Sequence, residues 1–390
     1  MTGPSPARKA AVRFIVCLGI VSLFADMTYE GAHSILGPFL KDLGATATEV
    51  GIIAGFGEMI AASLRFFSGR LADRTRAYWP IVFAGYGINI LVVPALAFVG
   101  NWQAAALLVI AERTGKSLRG PARDVLLSEA TAEVGHGYGF GIHAAMDQTG
   151  AVLGPLIMAA IVAREHRFGP AFLGLAIPAV LTVVALFAAR RVHPAKGTPP
   201  KPVAKQELSS LFWWYVIAAG VLACGFADFA LLSYHFQRLQ LVSPALIPVY
   251  YAGAMGVVGA TALLCGKLFD RYGIVVLCVA IVLSVAALPL GFLGGASAAV
   301  AGVTCWAVGL GAQDATLRSG IAQVVSMNKR GSAFGAFNAV YGVMWFMGSV
   351  AMGLLYDHSL PLLVGFGVAM QLAAAVIFLV LRNKLAAASA

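Results

Sequence analysis

Apolar residues along the chain come in runs of about 20, set apart by short polar or Gly/Pro-rich breaks. A run of that length crosses the roughly 30 Å of bilayer hydrocarbon as a helix, the form in which a lone segment satisfies its own backbone polar groups in lipid. The pattern predicts twelve spans, at 12–38, 46–69, 78–99, 104–127, 137–163, 168–190, 209–237, 245–268, 274–293, 297–326, 331–356 and 360–381. The long polar stretch from Arg190 to Leu208 holds Lys196, Lys201, Lys205 and four prolines, which predicts an irregular linker. The expected fold is an all-α membrane protein of two six-helix bundles, 1–190 and 209–390, joined by a cytoplasmic linker at 191–208. The first run follows Arg8, Lys9 and Arg13 but continues through Asp26 to Pro38 without a small-residue cleavage site. It reads as a retained helix and not as a signal peptide.

Composition agrees. Of the 390 residues 60% are hydrophobic and 11% charged, with a mean hydropathy of +0.85, well away from soluble proteins with about 25% charged residues. The net charge of +10 would suggest nucleic-acid binding in a soluble chain, but eighteen lysines and arginines fall on the side that holds both termini and the linker, and four (Lys41, Arg164, Arg167, Arg238) on the other. That asymmetry is the positive-inside rule. It predicts cytoplasmic termini in the inner membrane of a bacterium, with the bilayer and no nucleic acid as partner. The five cysteines lie in apolar runs without metal-ligand spacing, as reduced small hydrophobes do.

The two halves repeat one another. Gly69-Arg-Leu-Ala-Asp73-Arg74 recurs as Gly266-Lys-Leu-Phe-Asp270-Arg271 after 197 residues, and Phe24-Ala-Asp26 as Phe226-Ala-Asp228 after 202. Gly137-Tyr-Gly-Phe140-Gly141 recurs as Gly331-Ser-Ala-Phe334-Gly335 after 194, which carries Gly154 onto Gly348. Six helices per half return the chain to its starting side, so the repeats have the same topology and an axis along the membrane normal.

On these residues the chain resembles the major facilitator superfamily over essentially its whole length. Gly69 to Arg76, read as the loop between the second and third helices, is similar to the family's G-x-x-x-D-R-x-G-R-R signature, with Arg76 where the later glycine stands. Arg113 with Lys116 and Ser117 resembles the R-x-x-Q-G motif, and Gly150-Ala-Val-Leu-Gly154-Pro155 the antiporter motif G-x-x-x-G-P, although Met158-Ala159 replaces the glycines that usually follow. The resemblance implies alternating access by two rocking bundles around a central cavity lined by the first and seventh helices. It also implies a conformational gate at Gly69, Asp73 and Arg74, with Asp270 and Arg271 as the second copy and Gly150, Gly154 and Pro155 at a tight helix interface.

Ionisable residues at membrane depth are costly and mark functional sites. Asp26, Glu30 and His33 share one helical stripe, and Asp228 and His235 repeat its outer members in the seventh span. Asp26 and Asp228, with Glu30 and Asp147 as alternates, are the candidates for proton coupling, modulated by Arg113. The alternative is that these acids form gating or packing ion pairs. Gly150 and Gly154 stand on the stripe of His143 and Asp147, with glycines of the eighth span (Gly253, Gly256, Gly259) as the expected receiving surface. The fourth span packs Glu112, Arg113, Lys116, Arg119 and Arg123 around Pro121, which must break the helical hydrogen-bond ladder. Its cations are expected either to pair internally or to attract an anionic substrate. Tyr29, Tyr234, Tyr341, Trp345, His33, His143, His235, Lys116 and Arg119 are the candidates for the substrate cavity.

No G-x-x-x-x-G-K-[ST] signature is present, and no nucleophile, base and orienter stand together. The expectation is a monomeric secondary active transporter without cofactor or metal, exporting a small organic or drug-like molecule against protons. Uptake of a small anionic metabolite or metal chelate, and a non-transporting membrane sensor or scaffold, are the alternatives.

Overall fold

The computed structural model describes residues 6–131, 134–192, 208–325 and 330–389; most of the expected linker, at 193–207, lies outside them. The described residues are helical throughout, and eleven helices are long and apolar enough to cross a membrane. They are Pro6–Ser34, Ala47–Thr75, Tyr78–Phe98, Gly137–Glu165, Phe168–Val192, Ser210–Arg238, Leu246–Tyr272, Val275–Phe292, Ala296–Val324, Ser332–His358 and Leu360–Leu385. The fourth expected span is the helix Trp102–Thr131, 30 residues long, whose charges alone keep it out of that set. Counted with it, the described helices give twelve passes at the expected places.

The second span does not stop at 69. It runs on to Thr75 and the eighth to Tyr272, so the repeated Gly69–Arg74 and Gly266–Arg271 segments are the last helical turns and not loops. Charged residues extend a helix beyond the apolar core without cost once they reach water. Both helices end at a residue of positive φ: Arg76 at 53° and Gly273, 197 residues on, at 60°. Positive φ favours glycine, so arginine stands at position 76 against its own preference, while Gly273, with ψ −144°, takes backbone that only glycine adopts readily.

The fourth span is also unbroken, with Pro121 inside it. Proline lacks the N–H that the carbonyl four residues earlier would accept. That carbonyl, Ser117 O, instead accepts the Ser68 hydroxyl of the second span at 2.8 Å. Pro121 packs at ordinary contact distance from the position a Cβ would take on Gly69.

By compactness the chain forms two units. One holds Met1–Ile35 and Leu64–Lys201, the other Leu36–Ser63 and Pro202–Ala390. The stretch Leu36–Ser63 packs with the second half for visible reasons. Asp357 accepts the Thr48 backbone N–H at 2.9 Å and the Thr48 hydroxyl at 2.7 Å, capping the start of the second span, and also pairs with Arg238 at 3.7 Å. A side chain on Gly37 would strike the Ala230 carbonyl, and one on Gly51 the Ser349 carbonyl.

Candidate functional site

The first unit is built on the crossing of the first and fifth spans. A Cβ on Gly150 would overlap the Leu23 carbonyl and one on Gly154 the Met27 carbonyl, so these glycines receive the backbone of the first span. Close approach of the backbones brings Asp26 and Asp147 together. Asp147 accepts the Ser22 hydroxyl and lies close enough to Asp26 for the two carboxyl groups to interact directly, and Arg123 donates to the same hydroxyl at 3.2 Å while pairing with Asp124 at 3.0 Å. Two carboxyl groups sharing a site disfavour the doubly ionised form, which favours a proton on one of them.

The fourth span supplies the cations. Arg113 is 2% exposed; its Nη2 lies 2.8 Å from His33 Nδ1 and its Nε 3.6 Å from Glu112. Arg119, 3% exposed, donates to Asn89 Oδ1 at 2.7 Å, and Asn89 donates on to Glu112 at 2.9 Å. Lys116 lies 4.0 Å from Glu30 and 3.2 Å above the ring of Tyr29, over which Arg113 also sits at 4.6 Å. Tyr29 in turn stacks on His33, 6.0 Å between centroids at 9°. His143 is buried one turn before Asp147, among the charges of Arg123, Asp147 and Asp124. Thus Asp26, Glu30, His33, Tyr29, Arg113, Lys116, Arg119, His143 and Asp147 gather in one unit, and each of the four cations has a polar partner there.

Asn89 and Ser22 complete this network and were not singled out from the sequence. Asn89 is the one amide in an otherwise apolar helix, which is the signal that marks it.

The second unit is different in kind. The seventh span, Ser210–Arg238, is two helices, Ser210–Cys224 and Phe229–Arg238. Asp228 does not continue a stripe as Asp26 does; it is the N-cap of the second piece, accepting the Ala230 N–H at 2.8 Å. The other groups freed by the break are taken up by Gln371, which donates to Gly225 O at 2.9 Å, and by Trp306, which donates to Ala227 O at 2.8 Å. Glycine at 225 and a capping acid at 228 interrupt the helix where the first span has none. His235 is wholly buried and contacts the Tyr356 hydroxyl at 2.9 Å, and Tyr234 packs edge-on against the same ring. Tyr341 donates to Gln313 at 3.0 Å and lies beside Trp345, which packs on Phe226. An aromatic wall takes the place of the charge network.

Asp73, Arg74, Asp270 and Arg271 stand exposed at the ends of their helices. Among the described residues no group of three or more histidines, cysteines or acids could hold a metal ion.

A family model described as Major Facilitator Superfamily matches residues 18–349. An uncharacterized protein of Mycobacterium tuberculosis is 39% identical over 393 residues, 97% of this chain and 95% of that protein. An uncharacterized MFS-type transporter of Methanocaldococcus jannaschii is 29% identical over 174 residues, 44% of each. Among solved structures the nucleoside transporter NupG superposes with a TM-score of 0.69 at 14% identity, covering 96% of this chain and 98% of that one. A POT family transporter in complex with 5-aminolevulinic acid superposes at 0.77 and 13% identity, covering 97% of each. At such identities the likeness is one of fold.

Proposed function

The chain belongs to the major facilitator superfamily and is a multi-pass membrane transporter, and on that footing we propose that it couples the export of a small organic molecule to protons through Asp26 and Asp147. The observation that carries this reading is the juxtaposed acid pair Asp26 and Asp147, held by Ser22 and Arg123 within a network of otherwise paired charges. The network contains four cations (Arg113, Lys116, Arg119, Arg123) and five carboxyl groups (Asp26, Glu30, Glu112, Asp124, Asp147). With one proton on the acid pair it is neutral; without it, it carries a single negative charge in a medium that penalises charge. One proton is therefore the natural unit of exchange.

Internal pairing of all four cations favours a neutral or cationic substrate over the anionic metabolite of the alternative reading. That NupG is a nucleoside transporter and the POT family protein holds 5-aminolevulinic acid supports a small organic solute. The Gly150–Gly154–Pro155 motif tilts the direction to export. Asp73 and Arg74, with Asp270 and Arg271, serve as the inner gate during alternating access, and Asp228 acts as a cap and not as a proton carrier. The protein works as a monomer in the bacterial inner membrane with both termini in the cytoplasm.

The test is proton movement in liposomes after a pH jump, with and without a mixed library of small cations, anions and neutral compounds. Ligand-evoked proton release is expected from the wild type and is lost in Asp26→Asn. Proton movement that no ligand evokes, or that survives Asp26→Asn intact, overturns the reading.

A further inference from the structure

Within the charge network one contact is unlike the rest. The Lys116 ammonium sits 3.2 Å over the Tyr29 ring and 4.0 Å from Glu30, too far from the carboxylate for a hydrogen bond. The Lys116 and Glu30 side chains keep 24% and 15% of their surface, whereas the neighbouring Arg113 and Glu112 keep 2% and 8%. A cationic head on a flexible stem is thus held loosely, in an accessible place, by an aromatic face and a carboxylate. Those two groups are what recognises an ammonium ligand, and a lysine head on four methylenes can swing away at small cost where a forked arginine cannot. The ring itself is fixed from behind by its stacking on His33.

We propose that Tyr29 and Glu30 form the seat for a positively charged amine group of the substrate, and that Lys116 is a tethered stand-in that vacates it when substrate arrives. The proposal rests on the transport reading above and names its substrate class: an organic monocation. It also accounts for the exchange. The charge brought in by the substrate is cancelled when the acid pair gives up its proton, so one cation enters the network and one proton leaves it, with no bond to carbon made or broken.

The consequence is opposite in sign to that of an anion site. Removing Lys116 frees the seat and tightens binding of a cation, whereas it would weaken binding of an anion. The experiment uses the full chain in detergent and the probe benzyltrimethylammonium, with neopentylbenzene as its uncharged isostere, titrated by ligand-observed NMR. Lys116→Met is expected to bind the cation about tenfold more tightly than wild type, the loss of one competing cation–π contact. Adding Glu30→Gln takes affinity below that of wild type, Lys116→Arg stays near wild type, and the uncharged isostere does not discriminate among the chains. Unchanged or weaker cation binding by a folded Lys116→Met protein overturns the inference, as does its indifference to Glu30→Gln, or the absence of binding to any of the chains. Proton release into weakly buffered solution, read in the same titration, tests coupling separately. Tighter binding in Lys116→Met without proton release from the wild type leaves the seat standing and removes the coupling.

Discussion

The first span crosses the fifth, and the seventh crosses the eleventh, with the same backbone contact but opposite chemistry. Gly154 receives Met27 O in one crossing, and Gly348, 194 residues later, receives Cys224 O in the other. One turn away the roles reverse: Gly150 of the fifth span receives Leu23, whereas in the second half the glycine is Gly220 on the seventh span and the bulky residue, Met344, is on the eleventh. The crossing needs one missing side chain at that level, and either helix can supply it. Around this shared frame, Asp147 becomes Tyr341 at the displacement of 194, and the buried arginines of the fourth span give way to Gln313 and Thr316 on the buried face of the tenth. The repeat preserves packing and lets polarity diverge, so that one half carries charge chemistry and the other an aromatic wall.

The sharpest way to break this division is to exchange its polar centres. Asp147→Asn is expected to reduce ligand-evoked proton release in liposomes to background, a loss of at least about tenfold as for a positioned proton carrier. Tyr341→Phe, at the equivalent place, leaves proton release per bound ligand unchanged. Loss of coupling in both would mean that the chemistry is shared between the halves.

Next in size are the glycines. Gly154→Val and Gly348→Val each drive a side chain into a backbone carbonyl, and each should destabilise by about 3 kcal/mol, the upper end of the usual cost of overpacking. Gly253→Ala, facing open space, should be neutral or stabilising by about 0.5 kcal/mol through helix propensity. Thermal unfolding in mild detergent measures all three. A fall in the midpoint for Gly253→Ala comparable to the other two would show that this glycine is tightly packed.

The role reversal at Gly220 admits a reciprocal swap. Gly220→Leu alone is expected to cost about 2 kcal/mol by overpacking, and adding Met344→Gly should recover at least half, because the two residues share one contact and their effects cannot add. Strict additivity in the unfolding midpoints would show that the two positions do not compensate one another.

How much of this was legible in the sequence follows from what each feature depends on. The twelve passes follow from hydropathy, a property of each residue by itself, and so agree with the structure to a few positions. The expected stripe of Asp228 and His235 rested on a helix being continuous, and the break at Gly225 depends on Gln371 and Trp306, residues 146 and 79 positions away, which take up the freed carbonyls. Pro121 was expected to interrupt its helix, but a serine 53 positions earlier, Ser68, satisfies the carbonyl it strands. The approach of Gly150 and Gly154 to the Leu23 and Met27 carbonyls needs glycine on one side only, so a search for paired glycine stripes does not find it. Asp26 and Asp147 were each recognisable as intramembrane acids; that they meet is a product of that approach, which no local pattern encodes.

The smallest effect concerns the helix ends that the repeat holds in common. Gly273 closes the eighth span at φ 60° and ψ −144°, backbone nearly reserved for glycine, and Arg76 closes the second at φ 53°. A non-glycine residue there costs roughly 1 kcal/mol from the crowding of its Cβ against the backbone, less whatever unfolded-chain entropy glycine surrenders on ordering. Arg76→Gly is therefore expected to raise the unfolding midpoint by the equivalent of about 0.5 kcal/mol, and Gly273→Arg, which forces a side chain into backbone that only glycine adopts readily, to lower it by more, at least about 1 kcal/mol. The two changes exchange the end residues of the repeats, so the double variant should fall below the wild-type midpoint by the excess of the Gly273 cost over the Arg76 gain. A double variant at the wild-type midpoint would show instead that the two helix ends tolerate either residue equally.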